Sequence, residues 1–252
     1  MTPEQPIVAA DPMLGGALAH HPSNRLKPLL TAALIGAPIT VTLMLTAAQS
    51  EAWWGMPVTV GGVALTALAL AWYVLHWWNR EVVLYQRGFS FREGSRLIYF
   101  GYDEVKWVGL QAQRLAYFGG LLRRDVYRIE LVTYAGDRVI LTNLYRRIAE
   151  LAARLNEQIE VRLRPEIDRR LAAGEQVAFG EALWLTSGEL RVDDERLSWQ
   201  DFGGYRVGGG RLIFLRQDGS VFQETPLPLL YNVTILIDLL LRRRQAIEKG
   251  DA

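Results

Sequence analysis

The sequence predicts an α+β protein: an N-terminal two-helix transmembrane hairpin, then two modules, each an antiparallel β-sheet or barrel with a C-terminal helix. Three observations carry this reading. Two long charge-free apolar runs lie within the first eighty residues. From Arg80 onward the apolar pattern shifts to short alternating runs broken by Gly turns. The order of turns, strands and a closing helix then returns once more along the chain.

The first apolar run spans Pro28 to Ser50 between Lys27 and Glu51 and contains LLTAALIGAPITVTLMLTAA. The second spans Ala52 to Asn79 and contains PVTVGGVALTALALAWYVLHWW. Crossing the hydrocarbon of a bilayer takes about 20 mostly apolar residues, and both runs suffice. A surface helix of a soluble protein would show a polar face, and neither run has one. A secretory signal is disfavoured, because the first 26 residues carry acids and prolines rather than a basic stretch.

The flanks set the orientation. Arg25 and Lys27 precede the first span, and Arg80, Arg87, Arg92 and Arg96 follow the second. The loop AAQSEAWWGM between them has no Lys or Arg. The positive-inside rule then predicts a multi-pass protein of the cell inner (plasma) membrane with both termini cytoplasmic. Trp53 and Trp54 are expected at the outer interface, with Trp77, Trp78 and Arg80 at the inner one. Small residues are expected to let the helices approach, with Ala33, Gly36 and Ala37 facing Gly61, Gly62 and Ala64. No ionisable residue lies mid-span, which argues against an ion pathway through this hairpin.

In the first module, strands are expected at Glu81–Tyr85, Phe89–Arg92, Arg96–Phe100, from Tyr102, at Val126–Tyr134 and at Arg138–Leu141. Asn143 is expected to cap a helix whose apolar face is Leu144, Ile148, Leu151, Leu155 and Ile159. Pro165 and Gly174 bracket a short connector helix. In the second module, Ala182–Val192, Arg196–Phe202 and Arg211–Ser220 repeat the strand-and-turn order, and Asn232 opens the last helix. The expected organisation is an N-terminal tail (1–26), the hairpin (27–79), the first module (80–162), a connector (163–175) and the second module (176–247).

About seven short strands closed by one C-terminal helix resemble the pleckstrin-homology (PH) fold. The residues that carry this are the LYQRGF and LTSGEL turns, the YDEV and WQDF strand starts, the TYAGDR and RQDGS hairpins, and the two Asn-led helices. Over roughly residues 28–245 the chain resembles a bacterial family of unknown function in which membrane helices precede PH-like domains. The resemblance implies a fold and a location, and no reaction.

Composition bounds the chemistry. The 252 residues carry a net charge of +1, no cysteine and three histidines, at 20, 21 and 76. Thiolate and disulfide chemistry are excluded, and nucleic acid is not an expected partner. No histidine lies beyond residue 76, so a Ser/His/Asp set is excluded there. No enzyme activity, metal or other cofactor is expected. The glycine-rich stretch Gly203–Gly210 leads into RLIFL rather than a helix, so it is read as a flexible connector and not a phosphate loop.

The expected function is that of a membrane-anchored scaffold for protein or peptide partners. The alternative is a module sensing anionic lipids of the inner leaflet. Its contact would be the loop bearing Tyr117, Phe118, Arg123 and Arg124, where each cation near the surface is worth roughly 1 kcal/mol. An ordinary solvated hairpin is the competing reading of that loop.

Overall fold

In a computed structural model the chain is described over residues 11–49, 55–117 and 122–249, with the side chains of 112–125 and 248 set aside. It forms two compact units, Met1–Phe100 with Leu144–Arg147, and Gly101–Asn143 with Ile148–Ala252.

The first unit holds a four-stranded antiparallel sheet and the two apolar helices. The strands are β1 (Ala17–Pro22), β2 (Arg80–Tyr85), β3 (Gly88–Glu93) and β4 (Arg96–Gly101), in that spatial order. The helices are α1 (Leu26–Gln49) and α2 (Gly55–Trp78), each of 24 residues, or about 36 Å at 1.5 Å per residue. The helical hairpin is spliced between two paired strands. Pro22 sits opposite Glu81, α1 starts four residues after Pro22, and only Asn79 separates α2 from β2. This corrects the expectation of an N-terminal tail over residues 1–26, since Ala17–Pro22 is a sheet strand. ALAHHP lacks a strong β pattern, and the backbone ladder to β2 supplies the order that propensity does not.

At two of the glycines expected to let the helices approach, a leucine of the other helix fills the space. A Cβ on Gly36 would stand 2.5 Å from Leu70 Cδ1, and one on Gly62 would stand 3.3 Å from Leu43 Cδ1. Gly61 has no such neighbour. Thr42, Thr46, Thr59 and Thr66 each donate to the carbonyl four residues earlier, at 2.8–2.9 Å, so these hydroxyls are satisfied within their own helices.

The second unit begins with a three-stranded antiparallel sheet, β5 (Val105–Tyr117), β6 (Leu122–Thr133) and β7 (Arg138–Thr142). Alternate residues Val105, Val108, Ile129, Leu131, Val139 and Leu141 are buried. Helix α3 (Ile148–Ala172) follows, 25 residues without interruption. The short connector helix expected at 163–175 is therefore the second half of α3, and Pro165 lies inside it. Its buried stripe runs Leu151, Leu155, Ile159, Leu163, Ile167 and Leu171, so burial continues past the proline. The carbonyl that Pro165 leaves without a donor belongs to Val161, which is 65% exposed and open to water. Leu144 and Asn143 precede the helix and do not cap it.

The order then repeats. A four-stranded sheet comprises β8 (Val177–Ala178), β9 (Leu183–Leu185), β10 (Glu189–Val192) and β11 (Glu195–Ser198). A three-stranded sheet comprises β12 (Phe202–Gly208), β13 (Arg211–Arg216) and β14 (Val221–Pro226), and α4 (Val233–Lys249) closes the chain. Four strands, three strands and a helix thus occur twice. The repeat reaches fine detail. The first strand of each three-stranded sheet bulges at its second residue, between Val105 and Trp107 in β5 and between Phe202 and Gly204 in β12. Isolated bridges tie Ser23 to Tyr145 and Gly180 to Leu230, each three residues ahead of the following helix. Arg147 and Asn232, each just before its helix, have φ of 54° and 49°. By this register the counterpart of Asn232 is Arg147, not Asn143. Where the first half carries α1 and α2, the second half needs only residues 179–182 between β8 and β9.

The stretch Gly203–Gly210 is not a flexible connector. Most of it is β12, and Gly209 and Gly210, at φ 59° and 74°, make the two-residue turn into β13. Such a turn needs positive φ at both central positions, which glycine supplies. Helices α3 and α4 are joined by ion pairs between Arg164 and Asp238 and between Arg242 and Asp168, and by Asn156 donating to Thr234 Oγ1 at 3.2 Å.

Candidate functional site

The junction in the first unit, where helices become strands, gathers all three histidines. Arg80 is its centre, with its side chain only 13% exposed. Its guanidinium lies 4.2 Å from the centroid of Trp77, donates to His76 Nε2 at 2.9 Å and pairs with Glu93. Arg25 lies over Trp78 at 4.9 Å. Ser23 pins the strand end to the helix end, its hydroxyl donating to the Trp78 carbonyl and its N–H to the Arg80 carbonyl. His20 meets Glu81, which also takes Arg92. His21 donates from Nδ1 to the Arg146 carbonyl at 3.1 Å. Burial pushes the Tyr145 phenol well above its usual range, with Glu93 adding to the shift and Arg80 opposing it. Trp77, Trp78 and Arg80 are thus brought into one cluster. Trp53 and Trp54 lie outside the described residues.

Of the loop expected to touch lipid, Phe118 lies outside the described residues, and Tyr117, Arg123 and Arg124 are described in backbone only. Tyr117 ends β5 opposite Leu122, and Arg123 and Arg124 stand opposite Ala116 and Leu115. They occupy the end of a long two-stranded ribbon. β7 pairs with β6 only at residues 128–132, so the ribbon runs about 20 Å beyond the third strand.

The second unit contains a cleft of about 540 Å³ on the outer face of the β5–β7 sheet. Trp107, Gly109 and Gln111 of β5 stand opposite Val132, Glu130 and Arg128 of β6, and these form its floor. Glu181 and the stretch Pro228–Tyr231 form its wall. Tyr231 stacks on Trp107 with ring centroids 3.9 Å apart and planes within 14°. Glu130 is held between Arg128 and Arg138. Burial raises the Tyr231 phenol, and Glu181 and Glu130 raise it further against Arg138, so the hydroxyl stays a donor. Gly109 leaves the floor open: a Cβ there would find its nearest atom, Trp107 Cζ3, at 3.5 Å.

The cleft exists because a second segment seals the edge of β5. Asn232 donates from its N–H to the Val108 carbonyl at 2.8 Å and accepts the Val108 N–H on Oδ1 at 2.9 Å. Gln111 Nε2 donates to the Pro228 carbonyl at 3.0 Å. In the first half, Asn143 Oδ1 accepts the Tyr127 N–H. Both asparagine side chains therefore accept strand amides, while the Asn232 carbonyl accepts the Leu236 N–H at 3.0 Å and so opens α4. In the sequence Asn232 stands out as a helix opener, while the pairing of Trp107 with Tyr231 across 124 positions leaves no local trace. Among the described residues no group of three His, Asp or Glu side chains is placed to hold a metal ion.

Two apolar helices followed by antiparallel sheets, with a helix after each run of sheets, define a mixed α+β protein. The chain belongs to DUF6585, a family of unknown function, whose profile matches residues 1–249. No curated protein matches the sequence.

Proposed function

We propose that the protein is a membrane-anchored, non-catalytic adaptor. In this reading α1 and α2 cross the inner (plasma) membrane, and the two sheet-and-helix halves act as PH-like modules that hold a protein or peptide partner at its cytoplasmic face. One observation carries it. The apolar hairpin is fixed between paired strands, yet the protein itself leaves it uncovered: of the most apolar stretch of each helix, 6% of α1 and 0% of α2 is buried. Leu34 is 77% exposed and Met56 72%. Apolar surface on this scale calls for lipid or a partner to cover it. The order of four strands, three strands and a helix, given twice, supports the PH-like reading of both halves.

The absence of native cysteine gives a clean test. Gln49→Cys should react with a membrane-impermeant maleimide on spheroplasts, and Glu195→Cys should react only after lysis. Extraction of the chain by alkaline carbonate would sink the anchoring, and the reverse labelling pattern would sink the cytoplasmic placement of the two halves.

A second reading, contact with anionic lipid, is favoured by the ribbon that runs past β7 with Tyr117, Arg123 and Arg124 at its end. Amide exchange of the ribbon in nanodiscs should slow with anionic lipid and not with phosphatidylcholine alone. Equal exchange in both would remove this reading.

A further inference from the structure

The internal repeat turns the sealed edge of β5 into a guide to the second half. Both bulges lie one residue into their strands, so Tyr205 of β12 stands where Val108 stands in β5, three residues after Phe202 and Val105. Val108 turns its N–H and C=O away from β6, where Asn232 receives both. The same register turns the N–H and C=O of Tyr205 away from β13, and those of Val207 two residues on. Among the described residues no strand pairs with that side of β12. Arg206 and Gly208 are exposed, and Val207 is 49% exposed.

The surroundings of this edge are cationic. Arg206 has no carboxylate partner among the described residues. Arg243 lies over the Trp199 ring at 5.5 Å, and Arg244 lies against Gly204, 3.5 Å from where a Cβ would stand. Pairing with β12 of a second copy would bring together two edges that each carry Arg206, and like charges close together across a strand pair are destabilising. A segment carrying carboxylates meets the same surface with opposite charge, while its backbone completes the ladder.

We propose that the outer edge of β12, bounded by α4, docks an extended acidic segment of a protein partner, which adds as one further strand. The proposal deepens the adaptor reading and rests on it. Backbone pairing supplies the seat, as it does at Val108, and Arg206 with Arg243 selects the charge.

The test is a fluorescence-anisotropy titration of the full chain in detergent. The probes are a fluorescein-labelled hexapeptide of alternating valine and glutamate and its counterpart with lysine for glutamate. The acidic peptide should bind at least tenfold more tightly. Arg206→Glu should weaken it at least tenfold and shift the preference towards the lysine peptide. Val207→Pro removes an outward N–H, leaves the bonds to β13, and should also cost at least tenfold. Failure of the acidic peptide to bind, equal binding of both peptides, or indifference to Arg206→Glu would overturn the proposal. Arg206 lies on the surface, so its variant carries the test even if Val207→Pro does not fold. Maleimide labelling that fails while the peptide still binds would refute the anchoring alone; loss of binding with labelling intact would refute the docking edge alone.

Discussion

Asn232 holds the Val108 peptide by both of its polar groups, with N–H to carbonyl at 2.8 Å and Oδ1 to N–H at 2.9 Å. Both residues are buried, at 7% and 3% exposure. Asn232 can do this because it adopts φ 49°, a left-handed conformation that asparagine tolerates better than most residues. The contact closes an open strand edge with a side chain that imitates a backbone, and it holds Tyr231 where it stacks on Trp107.

Replacing Asn232 by alanine should therefore cost more than one hydrogen bond. The Val108 N–H becomes a buried orphan, worth about 1–3 kcal/mol, and the alanine Cβ adds about 1–2 kcal/mol of left-handed strain. Glycine at this position removes only the strain. Thermal unfolding should rank wild type above Asn232→Gly and that above Asn232→Ala, and exchange of the Val108 amide should speed up in both variants. Alanine and glycine variants of equal stability would show that strain plays no part.

Pro165 offers the opposite sign. Inside α3 it withholds a donor from the Val161 carbonyl, and a proline in a helix interior costs about 3 kcal/mol relative to alanine. The helix persists because Leu163, Ile167 and Leu171 keep the buried stripe intact, and because Arg164 pairs with both Glu160 and Asp238. Pro165→Ala restores the bond without touching the stripe. It should raise the unfolding midpoint, by about 2–4 °C per kcal/mol recovered. No rise would mean that the proline sits in a conformation fitted to it.

Two tyrosines set an alkaline limit. Burial raises the Tyr102 phenol, against the opposing charge of Arg162, and raises Tyr145, where Glu93 adds to the shift and Arg80 opposes it. Their folded values lie above the unfolded value of about 10, so the stabilisation is complete below that pH and is lost as pH climbs towards the folded values. The unfolding midpoint should stay level with respect to these groups up to about pH 10 and fall beyond it. Tyr102→Phe and Tyr145→Phe should each flatten the fall. Phenolate absorbance at 295 nm should report these two rings only as the protein unfolds.

Local signals in the sequence were strong wherever one element supplied them. The apolar runs of α1 and α2, the alternation in β6 and the leucine and isoleucine spacing of α3 are properties of single segments, and each is an element of the structure. Proline was a poorer guide. Pro165 looks like a helix start because its ring suits a first turn, but a buried stripe on both sides outweighs one missing bond. Glycine misled in the other direction, since Gly203–Gly210 looks like a loop while its backbone is mostly strand. The cleft was invisible for a different reason. Trp107 meets Tyr231, and Val108 meets Asn232, only after the chain has folded back across more than a hundred residues.

Strand β1 leads to the last prediction, because a dispensable leader and a sheet strand behave oppositely when removed. β1 covers the outer edge of β2 from Tyr85 to Glu81, and the chain runs from its last residue almost directly into α1. Leu14, just ahead of it, is buried with Val83 and Tyr85. The N–H of Gln86 and that of Arg87 donate to the Gly16 and Leu14 carbonyls, and Ser23 joins the strand end to Trp78 and Arg80. Deleting residues 1–22 strips that ladder from β2, leaves an unpaired hydrophobic edge containing Val82, Val83 and Leu84, and frees one foot of the helical hairpin. The truncated chain should aggregate on detergent extraction or elute as higher oligomers. Deleting residues 1–10 alone, which stops short of β1, should leave the elution profile unchanged. Size-exclusion chromatography of the two truncations side by side decides the matter: a monodisperse 23–252 chain with the wild-type unfolding midpoint would show that β1 contributes nothing to the sheet.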